Sequence, residues 1–130
     1  MTFEPPKFLY HWTEADAVDS IRSEGFTNAF LTSADADPKD YWNLSICWLD
    51  NPVRVRIDTS LLDSSAFEID FESLNDYIEG YGNPLDLDPH DCSLETSFEV
   101  TENIYYSKAI PVSALLEFKD FRPAESWKRG

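Results

Sequence analysis

The sequence predicts one small α+β domain dominated by strands, and three observations carry that prediction. A chain of 130 residues suffices for a single hydrophobic core and is too short for two. Hydrophobic residues make up 42% of it and aromatic residues 15%, enough buried surface to offset the ordering entropy despite a net charge of −15. The apolar positions fall mostly in short runs of strand length, with helical spacing in two places.

Taken in order, Pro5-Pro6 closes a lead-in, and Phe8-Leu9-Tyr10-His11-Trp12 is a dense aromatic and aliphatic run that reads as a buried first strand. Thr13 stands where a helix N-cap belongs, with Asp16 three residues on. Ala15, Val18 and Ile21 then recur at helical spacing up to Gly25, a natural residue just past a helix end, so a helix is predicted over 14–24. Residues 29–32 form a short second strand, and the polar stretch 33–40 is a loop leading to Tyr41-Trp42. Residues 44–49, a hydrophobic run, and 53–57, which alternate so that Arg54 and Arg56 share one face, read as two strands on either side of the turn Asp50-Asn51-Pro52. Phe71, Leu74, Tyr77 and Ile78 recur at helical spacing, which predicts a second helix over 70–81, stopped by Gly80 and Gly82. A Pro-interrupted acidic loop over 84–92 comes next, then strands at 98–100, 104–106 and 114–118, with Ile110-Pro111 marking a turn.

The charge balance excludes some partners before any motif is considered. Ten basic residues against 25 acidic ones cannot supply the clustered cations that displace counterions from nucleic acid, and an anionic membrane surface is disfavoured for the same reason. Cys47 and Cys92 lack a CxxC spacing and are read as reduced thiols. The N-terminus has no basic and apolar leader pattern, and no stretch approaches the roughly 18 apolar residues of a spanning helix. The expectation is a cytoplasmic protein; the alternative is an effector or toxin delivered into another cell by a route that cleaves no signal.

Few motifs carry chemistry on their own. There is no GxSxG elbow and no phosphate-cradling glycine loop, with Gly only 4 of 130. Asp86-x-Asp88-x-His90-Asp91 has ligand-like spacing, but Asp91 stands where a calcium loop needs Gly and Ser97 where it needs Glu. A solvated loop is the better reading, and no metal is expected. Cys92 beside His90 and Asp91 is a plain thiol, because adjacency in sequence is not the spatial arrangement that thiol catalysis needs.

The informative pattern lies at the two ends. Tyr10-His11-Trp12-Thr13, then Ile21-Arg22-Ser23-Glu24-Gly25-Phe26 and Ala29-Phe30-Leu31-Thr32, resemble the opening of ADP-ribosyltransferase-like domains. Glu102-Asn103-Ile104-Tyr105-Tyr106-Ser107-Lys108-Ala109-Ile110-Pro111 resembles the family's last catalytic element, a Glu opening an apolar strand followed by Ile-Pro. The resemblance leaves about 38–96 unmatched. It implies a small split β-sandwich, two short sheets around an NAD cleft with one or two helices. It also implies transfer of ADP-ribose from NAD to an acceptor, here in the His-Tyr-Glu subtype.

Breaking the bond from ribose to nicotinamide builds positive charge on the sugar, so a carboxylate beside it stabilises the transition state. By the resemblance Glu102 takes that role, with Glu95 and Glu99 as rivals in an acidic chain. His11 would orient a ribose hydroxyl, and Tyr41 would stack on nicotinamide, with Trp42 and Phe30 as alternatives. Thr13, Phe30, Thr32 and Arg54 complete the implied cofactor set; Arg54 and Arg56 suit a pyrophosphate but also suit neighbouring carboxylates. Each residue has a plainer role open to it: His11 sits in an aromatic run, as core histidines do, and a strand Glu is commonly a solvated one.

Between Arg56 and Lys108 the chain holds thirteen Asp and Glu and no Lys or Arg. That interval makes a basic protein surface the natural acceptor, ahead of DNA or RNA. It equally motivates a second hypothesis, a non-enzymatic acidic module or inhibitor that covers a cationic nucleic-acid-binding surface of a partner. A third is adaptation to high salt.

Overall fold

Aromatic and β-branched residues favour the extended backbone, and residues Phe8–Glu14 form strand β1. The computed structural model describes residues 3–33 and 51–120. Along them come α1 (Val18–Glu24), β2 (Phe26–Thr32), β3 (Pro52–Asp58), β4 (Phe67–Glu68), α2 (Phe71–Tyr81), α3 (Leu94–Thr101), β5 (Asn103–Ile110) and β6 (Leu115–Asp120). The α+β class is as predicted. The predicted strand at 44–49, Cys47, Tyr41 and Trp42 lie outside the described residues.

The six described strands form one antiparallel sheet in the order β4-β5-β2-β1-β3-β6. Its joints are unequal. β1 runs against β3 from Phe8↔Asp58 to Glu14↔Pro52, and β2 runs against β5 from Phe26↔Ile110 to Thr32↔Asn103. Between β1 and β2 a single register pair, Tyr10↔Thr32, joins the two halves among the described residues. Instead of two short sheets there is thus one sheet, narrowed at its centre into halves β4-β5-β2 and β1-β3-β6.

Period-two alternation and the register assign the two faces. Leu9, Leu31, Val55, Ile57, Ile104 and Tyr106 share one face, and each is at most 2% exposed. Burying side chains of this size contributes about 1.5–3 kcal/mol each. Phe98 of α3 packs there against Phe3, and Arg22 of α1 lies 4.6 Å from the Phe118 ring centroid, so both helices cover this face. Tyr10, Trp12, Phe30, Thr32, Arg54, Arg56 and Tyr105 point the other way.

Two predicted elements are corrected. Phe98-Glu99-Val100 reads as a strand but lies in α3, because the Ser93 hydroxyl accepts from the Thr96 amide and Leu94, Ser97, Phe98 and Thr101 then fall on one helical stripe. That makes three helices rather than one or two among the described residues. Thr13 is not an N-cap: pairing with Val53 keeps it in β1, the strand ends only at Glu14, and a 3₁₀ turn over Ala15–Ala17 leads into α1.

Gly25 ends α1 as predicted, its amide donating to the Ile21 carbonyl. Its φ of +71° is the left-handed region, and an added Cβ would stand 2.2 Å from the Ile110 carbonyl oxygen. This close approach seats α1 against the end of β5. Gly25→Ala is expected to destabilise the protein by about 2–4 kcal/mol, combining backbone strain and a clash. Urea denaturation measures it, and a loss under about 0.5 kcal/mol, the size of an inert surface change, contradicts the packing.

Candidate functional site

At the narrow joint between β1 and β2 stands His11. Its Nδ1 lies 3.0 Å from the Phe30 carbonyl oxygen of β2, and because a carbonyl only accepts, Nδ1 carries the proton and donates. The ring rests against Phe26 at 4.7 Å between centroids. Burial pushes the imidazole below its ordinary value, outweighing the upward pull of the Phe30 hydrogen bond. The ring is therefore neutral at pH 7, held in one tautomer, with Nε2 bearing the lone pair. Such a nitrogen can accept a hydrogen bond from a hydroxyl.

Glu102 does not open a strand, as the sequence pattern implies, but ends a helix. It is the C-cap of α3 with φ 60° and ψ 12°, and β5 begins at Asn103. Four described non-glycine residues have positive φ, and the other three are Asn28, Asn83 and Asp86, types that tolerate this region. Its backbone is held from both sides. The amide donates to the Phe98 carbonyl at 2.8 Å, and the carbonyl accepts from the Ser33 amide at 2.9 Å and the Thr32 hydroxyl at 3.1 Å. The side chain is exposed. Its rivals Glu95 and Glu99 lie within α3.

A chain of contacts thus joins the distant segments: Tyr10 pairs with Thr32, and Thr32 bonds Glu102. Sequence reasoning missed the brace behind it. Buried Asp70 caps α2 by accepting from the Ser73 amide and hydroxyl, and the Asn103 side-chain Nδ2 donates to the Ser73 hydroxyl at 3.1 Å. The signal was present in the Asp70-x-x-Ser73 spacing, which suits an N-cap. This brace fixes the backbone next to Glu102.

The remaining implied residues divide between the faces. Thr13 is buried on the same face of β1 as His11, whereas Phe30, Thr32 and Arg54 lie on the opposite face. Phe30 is 52% exposed, with its ring 5.0 Å from that of Tyr105. Arg54 is only 7% exposed, its guanidinium 4.7 Å from the Tyr10 ring centroid, and Arg56 stands in the same way 5.0 Å from Phe8. Arg54 is therefore built into the sheet surface rather than extended as an open fork. Tyr41, the implied nicotinamide-stacking residue, lies outside the described residues.

Among the described residues no cluster of three or more His, Cys, Asp or Glu is placed to hold a metal ion. No helix among them is long and apolar enough to cross a membrane. Burial pushes the Cys92 thiol up, against the direction a nucleophilic thiol needs. No protein-family model matches the chain, and no curated protein matches it in sequence.

The His11 environment has a consequence for stability. The unfolded chain binds a proton near pH 6.5 and the folded one only at lower pH, so neutral His11 contributes fully above 6.5 and the contribution is lost as pH falls below it. Urea denaturation from pH 7.5 to pH 5 should show stability dropping more steeply in the wild type than in His11→Gln. Equal slopes would contradict a ring held neutral in the folded state.

Proposed function

We propose that the protein is an NAD-dependent mono-ADP-ribosyltransferase-like enzyme of the cytoplasm that passes ADP-ribose to an acceptor protein with a basic surface. The observation that supports this best is the near-division of the sheet between β1 and β2, with His11 bonded across the gap to Phe30 and Glu102 tied to the end of β2 through Thr32. The two terminal segments that resemble the family are neighbours in space. An NAD cleft served by His11 and Glu102 is what that resemblance implies.

In this reading each residue has a task set by its surroundings. Neutral His11, fixed through Nδ1, accepts a hydroxyl hydrogen bond at Nε2 and so orients the ribose. The Glu102 carboxylate, on a backbone locked by three hydrogen-bonded neighbours, faces the positive charge that grows as the ribose–nicotinamide bond breaks. Nicotinamide departs with the bonding electrons, the acceptor nucleophile bonds to the same ribose carbon, and the carboxylate takes the acceptor's proton. Thr13 on the His11 face and Phe30 and Thr32 on the other flank the joint from its two sides, and Tyr41 supplies the stacking ring. Arg54 and Arg56 make one sheet face positive, which favours the pyrophosphate there by field rather than by an exposed fork.

The exposed acids of α2 and the loop after it favour a second reading, an acidic module that acts by binding a cationic partner without turnover. Glu102→Gln separates the two. With labelled NAD and a basic acceptor protein, wild type should release nicotinamide and label the acceptor. Glu102→Gln should lower both by about 10²–10³-fold, the usual cost of losing one group that stabilises developing charge. Because this side chain is exposed, the melting temperature should stay within a degree or so of wild type, as for an ordinary surface change. Nicotinamide release that is absent in wild type, or equal in the variant, would overturn the enzymatic reading.

A further inference from the structure

On the sheet face opposite the core, the half β4-β5-β2 carries a row of side chains set by register. Glu68 pairs with Tyr105, and Tyr105 pairs with Phe30, so carboxylate, phenol and phenyl ring stand side by side on three adjacent strands. With the first turn of α2, where Phe71 and Glu72 project, this row bounds a groove of about 500 Å³. Its aromatic walls are open: Phe30 and Phe71 are 52% and 51% exposed. Its floor is fixed, because the Tyr105 hydroxyl donates to Asn28 Oδ1 at 3.0 Å and Asn28 holds the left-handed conformation with φ 54° at the irregularity in β2. Two carboxylates and no cation line it. Lys108, at the edge of the acidic interval, is engaged by Asp63.

The same face shows what such rings receive. In the other half of the sheet the Tyr10 and Phe8 rings each carry a guanidinium, Arg54 at 4.7 Å and Arg56 at 5.0 Å. Among the described residues, none of the chain's cations lies over Phe30, Phe71 or Tyr105. A planar guanidinium stacks on an aromatic face and takes a carboxylate with two parallel hydrogen bonds, whereas a lysine ammonium does neither as well.

We infer that this groove binds an arginine side chain of a basic partner protein. The guanidinium lies over the Phe30 and Tyr105 rings, Glu68 and Glu72 neutralise it, and the other exposed acids of the interval from Asp58 to Glu102 steer the rest of the basic segment toward it. The inference deepens the reading of a basic acceptor, and rests on that reading only for the transfer of ADP-ribose once the partner is docked. Docking itself is measured without NAD, so its failure and the failure of transfer are separate results.

The test titrates the ¹⁵N-labelled full chain with a nonapeptide of alternating glycine and arginine, and with its lysine and glutamate counterparts. The arginine peptide should shift the amides of Asn28, Phe30, Glu68, Phe71 and Tyr105 and bind several-fold more tightly than the lysine peptide. The glutamate peptide should not bind. The double variant Glu68→Gln/Glu72→Gln should weaken arginine-peptide binding about tenfold, and Phe30→Ala about two- to fivefold. These side chains are exposed, so well-dispersed spectra should report intact folds. Shifts confined to other surfaces, equal affinity for the lysine peptide, or undiminished binding by the double variant would overturn the assignment.

Discussion

The structure depends on one narrow joint. Among the described residues β1 and β2 are central neighbours in a six-stranded sheet, yet they share the single register pair Tyr10↔Thr32 where their outer partners share long ladders. Backbone groups that a full ladder would pair must be satisfied otherwise, and the His11 ring does part of this by donating to the Phe30 carbonyl. The half-buried ring is desolvated there, which keeps it neutral, and the hydrogen bond fixes its tautomer. One side chain thus bridges the joint and presents Nε2 there as a hydrogen-bond acceptor.

Around the joint, the acid assigned the chemical role is positioned by its backbone. Glu102 turns the chain from α3 into β5 in a conformation unusual for its type, and its carbonyl ties that turn to Thr32 and Ser33. The Asp70–Ser73–Asn103 chain holds the next residue to the start of α2. The backbone there is tied by hydrogen bonds on both sides while the carboxylate stays exposed.

Alternation made much of the sheet legible. The burial of Leu9, Val55 and Ile57 and the shared face of Arg54 and Arg56 arise from period two alone, and the span and stop of α2 arise from helical spacing with Gly82 in the left-handed region. Features that were not legible depended on partners distant in sequence. Thr13 has the chemistry of a cap, but Val53 offered a ladder position and the strand won. Phe98-Glu99-Val100 has strand propensity, and the Ser93 cap with burial of Ser97 against the sheet overrode it. The division of the site residues between two faces came from the register of Tyr10 with Thr32, which no local pattern encodes. The charge distribution was readable as a run of acids, but the aromatic walls that give it a shape come from two strands and a helix.

If the gap beside His11 is a cleft for NAD, titrating NAD into the ¹⁵N-labelled protein and watching amide shifts tests it most directly, since this needs neither an acceptor nor turnover. Binding in the gap produces saturable shifts at His11 and Trp12 on one side of the joint and at Leu31, Thr32 and Glu102 on the other, with the outer pairing of β3 and β6 unmoved. A spectrum unchanged at millimolar NAD, or shifts confined to surfaces away from the β1–β2 joint, would contradict it.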